Sequence, residues 1–155
     1  MKILRTTSEN LDFQKLVKQL DAYLAIMDGD EHSFYDQYNK IDLLKNCIVI
    51  FEDETAVACG SIKAFDEQSM EIKRMFTLPE MRGKGIASKI LNQLENWTKE
   101  LGFSKTILET GIKQTEAIAL YEKMWLQNNS ELRTIFRNRK QRLLRKILVT
   151  LIIKK

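Results

Sequence analysis

Arg82-Gly83-Lys84-Gly85-Ile86-Ala87 carries the strongest chemical signal in this chain of 155 residues. The six residues follow a strand-like run, Ser69 to Leu78, and open an amphipathic helix, Ala87 to Leu101. A glycine-bearing turn between a strand and a helix leaves several backbone N–H groups at the positive end of the helix dipole. That arrangement suits phosphate oxygens. The run is neither Gly-x-Gly-x-x-Gly nor a P-loop, since it lacks the Gly-Lys-Ser/Thr ending. Taken alone it is equally a tight strand-to-helix connection that uses glycine for its backbone angles.

The flanking pattern shows what must position that turn. Ile3 to Thr6 reads as a short strand, and Ser8 or Asn10 could cap the helix that follows. Phe13, Leu16, Val17, Leu20, Tyr23, Leu24 and Met27 recur at helical spacing. Phe34 to Ile41 looks like a second, short helix. Cys47 to Phe51 is a buried-strand run, Thr55 to Phe65 is another strand with Gly60 as a candidate bulge, and Ser69 to Leu78 ends at Pro79. After the glycine turn, Ile86, Ile90, Leu91, Leu94 and Trp97 make one apolar helix face, and Gly102 closes it. Thr106 to Thr110 is a strand reached by a helical crossover, so it is expected parallel to Ser69–Leu78. Thr115 to Lys123 is a last helix. The expected order is β-α-α-β-β-β-α-β-α.

The bulk numbers fit one globular domain, with 30% charged and 44% hydrophobic residues. Cys47 and Cys59 give no metal-ligand spacing. The start of the chain lacks the apolar core of a signal peptide, so a reduced, cytoplasmic protein is expected. No apolar run approaches the ~20 residues that cross a bilayer. The net charge of +4 conceals an asymmetry: residues 131–155 hold nine Lys or Arg and one acid, leaving residues 1–130 net acidic. Such a split marks a nucleic-acid or membrane arm, or a tail of different origin.

Lys73-Arg74-Met75-Phe76-Thr77-Leu78-Pro79-Glu80-Met81-Arg82-Gly83-Lys84-Gly85-Ile86-Ala87 resembles the acetyl-CoA-binding segment of the GCN5-related N-acetyltransferases (GNAT). Arg82, Gly85 and Ala87 satisfy that family's Arg/Gln-x-x-Gly-x-Gly/Ala pattern. Gln114 to Lys123 looks like its second cofactor segment. The resemblance covers residues 1 to about 123. It implies an α+β (α/β) fold with a mixed central sheet and acyl-CoA N-acyltransferase topology. It also implies direct transfer of an acetyl group from acetyl-CoA to a primary amine of a small molecule.

The same resemblance suggests site residues. Gly83, Lys84, Gly85, Ile86 and Ala87, with Arg82 adding charge, would cradle the coenzyme A pyrophosphate. Met75, Phe76 and Thr77 would pair with the pantetheine like an added strand, and Gln114 belongs to the second segment. Tyr121 would be the acid for the departing thiolate, although a tyrosine on an apolar helix face is usually a core residue. Glu71 is the best base candidate, against a plain solvated strand position. The oxyanion would meet a backbone N–H near Met75 or Phe76. His32, the single histidine, and Tyr35 fall where the family places part of its acceptor wall; a loop histidine is otherwise simply exposed. A small-molecule amine is the expected partner, rather than nucleic acid or a membrane, and a homodimer is compatible with the fold.

After Lys123 the resemblance stops. The family continues with glycine, an aromatic residue and two antiparallel strands, whereas this chain reads Met124-Trp125-Leu126-Gln127 and turns basic. Met and Trp have single codons, and shifting ATG TGG by one base forces Cys-Gly, which fits the family. A frameshift would explain residues 124–155; a basic amphipathic C-terminal helix is the competing reading. Either way the closing hairpin is expected to be altered or missing, leaving an exposed sheet edge and impaired turnover.

Overall fold

A computed structural model of the chain describes residues 1–28, 43–111, 115–128, 132–135 and 146–152. It divides into two compact units, one built from Met1–Lys63 and Lys73–Leu94, the other from Ala64–Ile72 and Glu95–Lys155.

In the first unit, β1 (Lys2–Thr6), β2 (Asn46–Glu52) and β3 (Thr55–Ala64) form an antiparallel run, with Leu4 opposite Val49 and Val49 opposite Cys59. Helix α1 (Leu11–Asp28) begins at Asn10, whose Oδ1 accepts the Phe13 N–H at 2.9 Å. Ser8, the alternative cap, ties in the chain before β2 instead: its Oγ accepts the Leu44 N–H at 3.0 Å. The apolar stripe of α1, Phe13, Leu16, Val17 and Leu20, is buried on Cys47, Val49, Cys59 and Phe76. That periodic burial is what holds an 18-residue helix to the strands.

The opposite face of β3 carries Gly60, directly across from Ile48. A Cβ there would lie 2.7 Å from Ile90 Cγ2, 2.8 Å from Met75 Sδ and 3.1 Å from Leu94 Cδ1. Gly60 thus lets helix α2 (Ile86–Glu100) sit close on the strand. The sequence offers Gly60 as a candidate bulge; in the β2–β3 ladder the register shift falls at Ile50/Phe51. The missing side chain serves helix approach there.

In the second unit, the first half of β4 (Ser69–Thr77) runs parallel to β5 (Lys105–Gly111), from Ser69 opposite Lys105 to Ile72 opposite Leu108. The parallel crossover expected from the sequence is present. Helix α2 ends at Gly102, with φ of +87°, as the Gly102 and Phe103 N–H groups return to the Lys99 and Thr98 carbonyls. Helix α3 (Thr115–Asn128) runs beyond the expected stop at Lys123.

The chain after α3 corrects one expectation. Strand β7 (Lys146–Ile152) pairs antiparallel with the whole of β5, and β6 (Leu132–Ile135) pairs antiparallel with β7. The edge of β5 is therefore covered, and Lys146–Ile152 is strand and not helix. Ile147-Leu148-Val149-Thr150-Leu151-Ile152 is a strand-prone run that can take an open edge whatever its origin. The closing hairpin is altered in sequence, and its place in the sheet is filled. The short helix expected at Phe34–Ile41 lies outside the described residues.

Candidate active site

The glycine turn has the geometry its composition suggested. Leu78 leads into a single 3-10 turn, Pro79–Met81, and Arg82 follows in an extended conformation. Gly83 and Gly85 both have φ of +76°, and an added Cβ at either would meet nothing within 4 Å. Backbone conformation, and not crowding, is what requires glycine at both places. The first helical bond of α2 runs from the Lys89 N–H to the Gly85 carbonyl at 3.1 Å. The N–H groups of Gly85, Ile86, Ala87 and Ser88 therefore precede the helical ladder. Exposed residues 83–85 place this positive helix end at the surface, as an anion cradle requires.

Arg82 reaches back from the turn to its neighbours. Its Nε donates to the Thr77 carbonyl at 3.2 Å, and its guanidinium lies 4.8 Å from the Tyr23 ring centre and 6.0 Å from that of Phe76. The side chain ties the turn back to β4 and α1. Lys84 Nζ lies 3.4 Å from Met81 Sδ.

Strand β4 is irregular where the pantetheine was expected. Arg74 has φ of +56° inside the strand. Ser61 Oγ donates to the Lys73 carbonyl at 2.8 Å, and the Cys59 thiol donates to the Arg74 carbonyl at 3.3 Å. Successive carbonyls of a regular strand point to opposite sides, yet these two both meet side chains of β3. In a trans peptide the N–H points opposite its C=O. The N–H groups of Arg74 and Met75 are thus both turned away from β3, which makes a pair of adjacent donors. The Phe76 N–H faces the Cys59 sulfur, and the Leu78 N–H donates to the Val57 carbonyl at 3.0 Å. Of the strand residues named from the sequence, Phe76 is spent on β3 and the core, and Met75 keeps an N–H directed elsewhere.

The two candidate proton carriers belong to the second unit. Glu71 is half-buried on β4, opposite Ile107. Tyr121 on α3 is 4% exposed, and burial raises its phenol well above the ordinary tyrosine value. It keeps its proton through the neutral range, as an acid must. Burial likewise pushes the Cys47 thiol up to about 12 and raises Cys59, so both stay neutral and neither is an activated nucleophile. His32, Tyr35 and Gln114 lie outside the described residues.

The acetyltransferase (GNAT) family model matches residues 13–124. The chain belongs to the GNAT acetyltransferase family. An IAA acetyltransferase of Azospirillum brasilense is 32% identical over 111 residues, covering 70% of this chain and 72% of that protein. A Klebsiella pneumoniae structure, described only provisionally as an acyl-CoA N-acyltransferase, superposes with a TM-score of 0.73 at 25% identity, covering 99% and 97% of the two chains. A GNAT acetyltransferase of Elizabethkingia anophelis, solved with acetyl-CoA bound, shares the fold with a TM-score of 0.65 at 18% identity, covering 98% and 97%.

Within this GNAT chain, sequence reasoning missed Asp21, Tyr23, Cys59, Ser61 and Arg74. Arg74 stands inside the matched motif, but nothing in its residue type announces a positive φ. The others lie on α1 and β3, and only packing brings them to the motif.

Proposed function

We propose that this chain is an acetyl-CoA-dependent N-acetyltransferase that moves the acetyl group directly to a primary amine of a small molecule. The observation that carries the reading is the pair of left-handed glycines, Gly83 and Gly85, opening the surface end of α2. The residues present fit coenzyme A. Backbone N–H groups at residues 85–88 suit its pyrophosphate, and Met75 and Thr77 offer strand main chain to its pantetheine amides. Bound there, acetyl-CoA supplies an acyl group on a thiolate leaving group.

The chain's own residues do the rest. Glu71, directly or through a water, takes the proton from the acceptor ammonium, because only a neutral amine attacks. The N–H of Met75, beside that of Arg74, donates to the thioester oxygen as negative charge gathers on it. Tyr121 gives its phenolic proton to the departing sulfur and regains one from the nitrogen, which must shed its second proton after attack, so the products are an amide and a free thiol. His32 and Tyr35 remain candidates for the acceptor wall and Gln114 for the cofactor segment.

The test is calorimetric titration with acetyl-CoA, followed by thiol release over a panel of small primary amines. Saturable binding and amine-dependent release are expected. Tyr121→Phe should lower kcat about a hundredfold and leave coenzyme A affinity near that of the parent. Absence of coenzyme A binding would overturn the reading.

A further inference from the structure

Among the described residues, two non-glycine residues have a positive φ: Asp53, in the turn between β2 and β3, and Arg74, inside β4. A left-handed side-chain-bearing residue costs free energy and persists only where its surroundings over-determine it. At Arg74 three contacts do so. Ser61 and Cys59 hold the carbonyls on either side of its Cα, at 2.8 and 3.3 Å. The third contact reaches α1: Arg74 Nη1 donates to Asp21 Oδ1 at 2.9 Å, with the Arg74 side chain 7% and the Asp21 side chain 35% exposed.

We infer that Arg74 is a positioning residue for acyl transfer, and that its ion pair with Asp21 holds the β4 kink that aims the Met75 N–H at the thioester carbonyl. The inference rests on the oxyanion role given to Met75 above. The physical reasoning is direct. A strand free of its pin relaxes toward regular φ, and that rotation turns the Arg74 carbonyl off Cys59 and the Met75 N–H with it. A buried guanidinium has few other anions to choose from, so Asp21 sets where Arg74 can lie. None of the three contacts involves a residue of the glycine turn, so loss of the ion pair should act on carbonyl polarisation far more than on phosphate binding.

The test is isotope-edited infrared spectroscopy of acetyl-CoA carrying a 13C carbonyl, bound to the full chain, alongside calorimetry and slow thiol release with water as acceptor. In the parent, binding should move the thioester carbonyl band to lower frequency. In Asp21→Asn the band should return at least half-way to its free position and thiol release should fall about tenfold, with acetyl-CoA affinity kept within about threefold. Asp21→Glu, which keeps the charge, should restore most of the band shift. An unmoved band in folded Asp21→Asn would overturn the inference and leave the oxyanion reading standing. A parent band that does not shift on binding would overturn that reading, and the inference with it.

Discussion

The guanidinium of Arg82 lies 4.8 Å from the centre of the Tyr23 ring. This contact ties the residue that opens the glycine turn to helix α1. It gives the motif arginine a structural contact in addition to the charge it carries. With its Nε on the Thr77 carbonyl and its face on an aromatic ring, Arg82 braces the turn from behind.

Removing the ring should therefore weaken the cofactor without removing any charge. Tyr23→Leu is expected to reduce coenzyme A affinity about two- to fivefold, the range of one partly buried cation–π contact. Calorimetry on Tyr23→Leu and Arg82→Met checks it. A loss in Arg82→Met a hundred times larger than in Tyr23→Leu would instead mean direct phosphate contact.

Gly83 and Gly85 separate conformation from space. With nothing within 4 Å of an added Cβ, Gly85→Ala should cost about 1–2 kcal/mol through backbone strain alone. Part of that cost can be relieved by leaving the left-handed region, which takes the turn apart and lowers coenzyme A affinity by tenfold or more. Gly83→Asn should be milder than Gly83→Ala, because asparagine tolerates the left-handed region better. Thermal melts with and without coenzyme A distinguish the two effects.

Gly60 behaves oppositely. A methyl group there would press within 2.7 Å of Ile90 Cγ2 and 2.8 Å of Met75 Sδ. Gly60→Ala should destabilise the fold by about 1–3 kcal/mol, and Ile90→Val in the same chain should recover part of it. Urea unfolding of the single and double variants measures the coupling.

Stability should decline in alkaline solution. Cys47 is raised from an ordinary value near 9 to about 12, and Cys59 and Tyr121 are raised as well, all chiefly by burial. A folded pKa above the unfolded one means that stability is complete below about pH 9 and is lost as pH rises toward the folded value. Each such group contributes a slope of up to about 1.4 kcal/mol per pH unit in that window. Urea midpoints between pH 8 and pH 10.5 should fall, and Cys47→Ala should make the fall shallower. A flat profile would show that the buried groups ionise freely.

Much of the fold was legible because periodicity is local. Alternation and helical spacing placed β1, α1, β2, β3, β4, α2 and β5 within a residue or two of their observed bounds. The glycine turn was equally readable, since a left-handed backbone at Gly83 and Gly85 leaves a mark in residue type. Gly60 shows the limit. A glycine in a strand signals either a bulge or a close approach, and only the helix lying on it decides which. Residues 124–155 show another, because the lost family pattern said nothing about whether the β5 edge would find a partner, and β7 fills it.

The sequence by itself determined the family, the glycine turn that opens α2, and Tyr121 and Glu71 as candidate proton carriers. Those features are written in short runs whose chemistry depends on neighbours in the chain. Only the tertiary structure decided that Arg82 lies on Tyr23, that Phe76 turns to β3, and that Arg74 is bent against Asp21. Asp21 and Arg74 lie 53 positions apart in the chain. No local pattern spans that distance; the burial of α1 on the sheet closes it.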